Sequence, residues 1–179
     1  TLGLILLGCG SLVVRPALAE AAGPNSFYGG PTGDDANACD TPAAACQTIG
    51  GAIIKASAGD TIYIAAGTYS EHVTVPKALT FVGADAATTI VDGSGSGRVF
   101  NIPGGAVTLE GLTLRNGNAG SGNGGALLTA SPLTLMAVTV SGSRAYWGGG
   151  IYAEADVVIR DSTFAGNTAT GPDISNDIR

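Results

Sequence analysis

The chain has 179 residues, the size of a single domain. Hydrophobic residues make up 45% of it and charged residues only 12%, which excludes a disordered chain, since disorder requires low hydrophobicity and high charge. The net charge of −6, with eight Lys and Arg in all, argues against nucleic acid or an anionic membrane as a partner. The 29 glycines and 6% aromatic residues indicate many tight turns between short strands.

Residues 1–19 have the pattern of a secretory signal peptide. Their apolar run, residues 2–14, is too short to span a bilayer as a helix, and no transmembrane helix is predicted elsewhere. Ala17-Leu18-Ala19 is the small-x-small pattern that precedes a signal-peptidase cut. We therefore predict cleavage between Ala19 and Glu20, and an extracellular or cell-surface (outer-membrane) location. Leu6-Leu7-Gly8-Cys9 also resembles a lipobox, so lipid attachment at Cys9 is an open alternative.

Residues 20–60 are predicted to form a loop-rich lead-in that ends in a short capping helix. Two cysteines, Cys39 and Cys46, remain after removal of the signal peptide. A close pair in an exported protein favours a disulfide, with two free buried thiols as the alternative. From Gln47 to Ala58 apolar residues recur at helical spacing, and Gly59 follows as a stop signal.

Residues 61–179 consist of short segments in which apolar residues alternate with Thr or another small polar residue, as in strands. A repeat runs through them: the nine residues that begin at Gly111 recur from Ala137 and again from Asp161. A unit of about 24 residues cannot bury its own apolar face and must stack on its neighbours. It is too short for a propeller blade, so we predict a parallel β-helix of about five coils. The predicted strands are 61–64, 72–75, 79–82, 89–91, 99–102, 107–109, 112–114, 133–135, 138–140 and 157–159.

The C-terminal residues show no capping pattern. Residues 170–179 contain two isolated Ile and no amphipathic helix, and Gly171-Pro172-Asp173 is typical of a turn into another coil. We expect the β-helix to be truncated at this end. An open terminal coil exposes unpaired strand edges, so we also expect it to associate with another chain.

The repeats resemble those of chlamydial-type polymorphic outer-membrane proteins. Gly124-Gly125-Ala126-Leu127 and Gly148-Gly149-Gly150-Ile151, followed by Phe164-x-x-Asn167, are similar to the GG-A-[ILV] and F-x-x-N motifs of that family. The segment from Gln47 to Glu71 resembles the first coils of the pectin-lyase-like superfamily, including the G-x-Y-x-E portion of pectinesterases. The resemblance implies an all-β fold, a right-handed parallel β-helix with a short N-terminal capping helix, and the crossover preference agrees with that hand.

Pectin-active enzymes of this superfamily group carboxylates, Gln, Arg or His on one outer face, and no such group is recognisable here. From residue 60 onward the acids are Asp60, Glu71, Asp85, Asp92, Glu110, Glu154, Asp156, Asp161, Asp173 and Asp177, and none is adjacent to another. We predict no catalytic residue, no metal site and no cofactor.

Several residues have a functional and a plainer interpretation. His72 is a general base or, as favoured, an exposed outward residue. The oxygens of Asp34, Asp35, Asn37 and Asp40 suit calcium, but the same residues form turns. The two Gly-rich stretches, Gly93–Gly97 and Gly117–Gly125, are interpreted as corner loops. Tyr146 and Trp147 are a candidate sugar-stacking platform or a cover over a coil corner.

Two functional hypotheses follow. The leading one is an exported, non-catalytic β-helix that acts as an adhesin-like or structural passenger and contacts cell-surface glycans or surface proteins of a host or neighbour. The alternative is a carbohydrate-active enzyme (lyase, hydrolase or esterase) or polysaccharide-binding module of the pectin-lyase superfamily. Polar side chains that converge in one groove from three successive coils would favour the alternative.

Overall fold

The computed structural model describes residues 26–172 and Ile178. Its strands coil into a parallel β-solenoid of about four turns, with 41% strand and 7% helix. The predicted all-β parallel β-helix is therefore confirmed, with about four turns where the repeat predicts about five. The right hand of the coil stays a prediction.

The described elements begin with a strand, a 3-10 helix (Pro42–Ala44) and one α-helix, α1 (Ile49–Lys55). The strands in chain order are β1 (Ser26–Gly29), β2 (Thr61–Ile64), β3 (Gly67–Tyr69), β4 (Val73–Thr74), β5 (Leu79–Gly83), β6 (Thr89–Asp92), β7 (Phe100–Ile102), β8 (Val107–Glu110), β9 (Thr113–Arg115), β10 (Leu127–Thr129), β11 (Leu133–Met136), β12 (Thr139–Ser141), β13 (Arg144–Ala145), β14 (Ile151–Ala153), β15 (Val157–Arg160), β16 (Thr163–Ala165) and β17 (Thr168–Ala169).

Each turn of the solenoid passes through three parallel sheets. Sheet A has the order β1-β2-β5-β8-β11-β15, sheet B the order β16-β12-β9-β6-β3, and sheet C the order β14-β10-β7-β4. A fourth pair, β13 and β17, lies at the corner between sheets B and C in the later turns. The sequence does not predict the short strands β1, β3, β10, β13, β14, β16 and β17, because it is their pairing with a neighbouring turn, which no local pattern shows, that defines them.

The interior is a stack of apolar side chains in register. In sheet A, Ile62, Phe81, Leu109 and Leu135 are paired from strand to strand, and all are fully buried. Phe100 of sheet C meets Phe81 edge to face, with ring centroids 5.7 Å apart. Thr80, Thr108 and Thr134 form the matching outward column, as the alternation in the sequence predicts.

The repeat also marks two places where the chain turns through a left-handed residue. After sheet A these are Gly111, Ala137 and Asp161, with φ of 63°, 50° and 50°, and after sheet B they are Asn116, Gly142 and Gly166, with φ of 54°, 60° and 64°. Gly and Asn adopt this conformation at low cost, whereas Ala137 is held in it by the stacked turns on either side.

The N-terminal end is closed by the lead-in. Strand β1 extends sheet A into this segment, and the disulfide between Cys39 and Cys46 is present beside it. Helix α1 is shorter than the predicted 47–58, because the Thr48 side chain accepts from Gly51 N and Ala56 returns to extended backbone. Both Glu71 carboxylate oxygens accept from the helix N-terminus, at 2.9 Å from Ile49 N and 3.1 Å from Gly50 N.

Some predictions fall on residues that the structure does not describe. These are the signal peptide, the cleavage site at Ala19 and Glu20, the lipid anchor at Cys9 and the turn that ends in Asp173. Between residues 26 and 172 and at Ile178, no helix has the length and apolar character to cross a membrane.

Candidate functional site

A groove of about 560 Å³ crosses three successive turns where the chain leaves sheet B. We call it the corner groove; its lining residues are Asp92, Ser94 and Gly95 from one turn, Asn116, Gly117 and Asn118 from the next, and Gly142 and Arg144 from the third. The groove is therefore a product of stacking, since no single turn supplies more than three of these residues.

Local sequence explains why these residues meet. Asp92, Arg115 and Ser141 are the last residues of β6, β9 and β12, and they are paired in register. In the two later turns a left-handed residue, Asn116 or Gly142, then carries the chain away from sheet B. Equivalent positions of successive turns are thereby stacked at the groove, at the strand spacing of about 4.8 Å.

Three hydrogen-bond donors hold the Asp92 carboxylate in the corner groove. Arg115 Nε donates to its Oδ2 at 2.6 Å, Asn116 Nδ2 lies 3.1 and 3.2 Å from the two oxygens, and Ser94 N donates to Oδ1 at 2.8 Å. Burial alone would raise the pKa of Asp92, but these hydrogen bonds and the charge of Arg115 outweigh it and hold the pKa below its ordinary value. Asp92 is therefore a fixed anion at neutral pH and a poor proton donor.

Asn118 is used by the fold, since its Nδ2 donates to Gly95 O and its Oδ1 accepts from Gly120 N, both at 3.0 Å, but two other polar groups of the groove are not. In the described part of the chain the one ion pair joins Arg115 and Asp92, so the exposed guanidinium of Arg144 has no carboxylate partner there. The Asn116 Oδ1 lies 3.1 Å from the position that a Cβ on Gly142 would take, so the glycine leaves that oxygen open. The groove thus offers a cation and an amide oxygen, groups that bind hydroxyls and carboxylates.

Tyr146 and Trp147 follow Arg144 in the chain but do not line the corner groove. Their rings are 5.0 Å apart at 61°, an edge-to-face contact. A Cβ on Gly171 would lie 2.8 Å from the indole Nε1, so Trp147 packs against the next turn. Tyr146 is 36% exposed. The structure brings the two rings together without testing a contact with sugar.

His72, the other candidate outside the acids, lies against the Gly-rich corner of the following turn. Its ring is exposed, with Nδ1 2.9 Å from Arg98 O and Nε2 3.3 Å from Ser96 Oγ. Arg98 in turn donates to the carbonyl oxygens of Asn123 and Gly124 one turn further on. These contacts join the corners of three turns, which is a structural role.

Of the three acids in the candidate calcium set, Asp34 and Asp35 accept hydrogen bonds in a turn and at a helix cap, whereas Asp40 is exposed. Asp34 accepts from Ala36 N at 2.9 Å, and Asp35 accepts from both the amide and the hydroxyl of Thr48. Burial raises the pKa of Asp35, but its bonds to Thr48 outweigh this and lower it. Across residues 26–172 and Ile178, no group of three or more His, Cys, Asp or Glu side chains is placed to hold a metal ion.

The corner groove was missed in the sequence because its loops have different lengths. One signal was present: Asn118 and Arg144 occupy the same position of the nine-residue repeat, and both are polar. Stacking of equivalent positions places such residues on one surface.

Comparison with known proteins assigns the chain to a family. The family model described as "Protein of unknown function (DUF1565)" matches residues 31–179. The chain belongs to this family, and the match includes every residue of the corner groove. Among the curated proteins, none matches the sequence.

Proposed function

We propose that this member of the DUF1565 family is an exported, non-catalytic β-helix protein of the cell surface whose corner groove binds polysaccharide. One observation carries the proposal: polar side chains of three successive turns, Asp92, Asn116 with Asn118, and Arg144, line a single groove. A purely structural passenger needs no such convergence, whereas an extended chain of sugar rings requires contacts at regular intervals.

The dimensions of the groove suit an extended ligand. Three turns at a spacing of about 4.8 Å place their polar groups over about 10 Å along the solenoid axis. More than one sugar ring fits along that length. The open guanidinium of Arg144 favours a glycan with carboxylate or sulfate groups, because Arg115 already neutralises Asp92.

The carboxylates of the groove support binding without hydrolysis. Glycoside hydrolysis ordinarily uses two carboxyl groups that flank the scissile bond. Asp92 is the one acid among the described residues that line the groove, and its oxygens are engaged by Arg115, Asn116 and Ser94.

Export and a surface location are supported by the pattern of residues 1–19 and by the repeats. The GG-A-[ILV] and F-x-x-N motifs are similar to those of polymorphic outer-membrane proteins, and the first coils are similar to the pectin-lyase-like superfamily. The structure gives the F-x-x-N asparagine a role: Asn167 Oδ1 accepts from Ser143 N and its Nδ2 donates to Val140 O. This contact joins one turn to the turn before it.

Affinity electrophoresis of the exported chain through gels with neutral, uronate-containing or sulfated polysaccharides tests the proposal. We expect the protein to migrate more slowly in at least one gel that contains a uronate-containing or sulfated polysaccharide. Arg144→Ala should weaken binding about tenfold or more, the effect of losing one hydrogen bond to a charged group. Arg160→Ala is the matched control, because Arg160 is an exposed arginine on β15 of sheet A, outside the groove. Equal binding by the Arg144→Ala variant and the wild type, or no retardation in any gel, would refute the proposal.

A second measurement tests the non-catalytic part. Incubation of the purified chain with polygalacturonate is expected to release neither reducing ends nor unsaturated products above a buffer control. Release of either would show a catalytic site, and replacement of the acids one at a time would then locate it.

A further inference from the structure

A second cavity, of about 140 Å³, lies at the N-terminal end of the solenoid, far along the chain from the corner groove. We call it the cap pocket. Tyr28 of β1 and Tyr63 of β2 form the wall on sheet A, and Gly30, Pro31, Pro42 and Ala45 of the disulfide-closed lead-in form much of the rest. The lead-in therefore folds over the outward face of sheet A and leaves a space beneath it.

Tyr28 is the unusual residue of this pocket. Its side chain is on the outward face of sheet A, paired with Tyr63, and the two rings stack with centroids 5.5 Å apart and an interplanar angle of 21°. The lead-in covers it so that only 5% of Tyr28 is exposed. Burial, with the neighbouring Tyr63, raises the pKa of Tyr28, so its hydroxyl is a neutral donor.

The Tyr28 hydroxyl has no hydrogen-bond partner among the described residues. Tyr69, equally buried a few residues beyond β2, shows the usual arrangement: its hydroxyl donates to Ala65 O at 2.8 Å. The Tyr28 ring is buried, but its hydroxyl oxygen is not among the fully enclosed side-chain atoms, so the hydroxyl is open to the pocket and available for a hydrogen bond. A ligand in the pocket would therefore bond to this hydroxyl without displacing a hydrogen bond of the fold.

The volume of the cap pocket and the residues that line it restrict the ligand that it can hold. A cavity of about 150 Å³ holds one benzene molecule, so the cap pocket encloses the six ring atoms of a sugar, while the ring substituents extend through its solvent-open side. Two prolines and several alanines provide an apolar wall, while the tyrosine hydroxyl and the backbone of the 29–33 turn provide polar groups. A purely apolar ring would leave the Tyr28 hydroxyl unpaired. A pyranose has both an apolar C–H face and hydroxyl groups.

We propose that the cap pocket binds a single pyranose ring, with its C–H groups against the prolines and one sugar hydroxyl hydrogen-bonded to Tyr28. The site is independent of the corner groove and goes beyond the proposed function. With both sites occupied, one chain would hold a glycan segment along its side and a single sugar ring at its N-terminal end.

Saturation-transfer NMR of the exported chain with a panel of free monosaccharides, and with the same sugars as terminal residues of oligosaccharides, tests the proposal. Tyr28→Phe keeps the stacked ring and removes the hydroxyl, so it should weaken binding about tenfold. Gly30→Val should abolish binding. A Cβ there would make ordinary contacts, 3.6 Å from Ala45 Cβ and 3.8 Å from Ala65 Cβ, and the added methyl groups would fill the pocket.

Tyr152→Phe is the matched control, because it removes a tyrosine hydroxyl on β14 of sheet C, outside the pocket, and it should bind like the wild type. Arg144→Ala should lose polysaccharide binding and keep monosaccharide binding, which separates the two proposals. The proposal is overturned by a wild type that binds no sugar of the panel, by a Tyr28→Phe variant that binds like the wild type, or by phenol binding in place of sugars. If the Gly30→Val variant does not fold, sugar binding by the Tyr28→Phe variant still tests the proposal. Binding of oligosaccharides but not of free sugars supports a glycan end as the ligand.

Discussion

Sheet A and the corner groove are built by the same turns of the solenoid, yet their outward side chains differ. One outward column of sheet A keeps threonine from turn to turn, at Thr61, Thr80, Thr108 and Thr134. The column at the corner changes at every turn, from Asp92 to Arg115 to Ser141. A residue that recurs from turn to turn satisfies a requirement common to those turns. On sheet A this requirement is a β-branched side chain, which suits a pleated surface. A column whose residue differs from turn to turn is able to carry a polar group that serves one turn only.

The largest expected effect on stability comes from adding a side chain at Gly125, where two turns of the solenoid lie close together at the corner. A Cβ on Gly125 would overlap Gly149 O and lie 2.6 Å from Arg144 N, both backbone atoms of the next turn. Because stacked backbones cannot separate without loss of the ladder, Gly125→Ala should lower the free energy of unfolding by about 3 kcal/mol. Urea denaturation measures this loss.

Gly120→Ala is the control for that experiment. Gly120 lies in the same corner with φ of 57°, but nothing is within 4 Å of the position of its Cβ. The variant should lose only the cost of a left-handed alanine, about 1 kcal/mol. A loss at Gly125 no larger than the loss at Gly120 would show that the close approach of turns does not limit the corner.

Gly125 also shows how much of the fold is readable from the sequence. The paired glycines recur with a fixed spacing, so the repeat and the stacked turns could be predicted. The strands that follow them, β10 and β14, could not, because Leu-Leu-Thr and Ile-Tyr-Ala lack the apolar-Thr-apolar alternation that marks most of the predicted strands. The cost of a side chain at Gly125 depends on the neighbouring turn, which no local pattern reveals.

Apart from the shared repeat position of Asn118 and Arg144, the corner groove could not be predicted, for a similar reason. Residues in register are 28 positions apart between Thr80 and Thr108, but 23 apart between Asp92 and Arg115. The loops that join the sheets absorb this difference, so no constant period aligns Asp92 with the residues that bind it. The disulfide between Cys39 and Cys46 was predictable, since two nearby cysteines need no knowledge of register.

A smaller effect is expected at Asp92. Asp92→Asn removes the charge that Arg115 and Ser94 N stabilise, and it should lower the free energy of unfolding at pH 7 by about 2 kcal/mol. The folded state lowers the pKa of Asp92, so the stability that it contributes is present above its unfolded pKa, about 3.9. That contribution is lost as the pH falls through the folded pKa.

The difference between wild type and Asp92→Asn should therefore shrink from pH 7 toward pH 2. Denaturant unfolding of both proteins at several pH values measures it. A difference that stays constant over this range would mean that the carboxylate charge does not stabilise the corner. The network around Asp92 would then be stabilised by packing and hydrogen bonds, with no net contribution from the ion pair to Arg115.

The smallest effect is expected on sheet A itself. Thr108 lies in the middle of the threonine column, and no hydrogen bond of its hydroxyl is seen among the described residues, so Thr108→Val should change the free energy of unfolding by less than about 0.5 kcal/mol. Thr113→Val is the same substitution on sheet B, where Thr113 Oγ1 donates to Ala86 O at 2.6 Å, and it should cost about 1 kcal/mol. Neither variant should alter retardation in polysaccharide gels. A loss of polysaccharide binding by Thr108→Val would move the binding surface from the corner to sheet A, because the shape and β-branching of the side chain are unchanged and only a hydroxyl is removed.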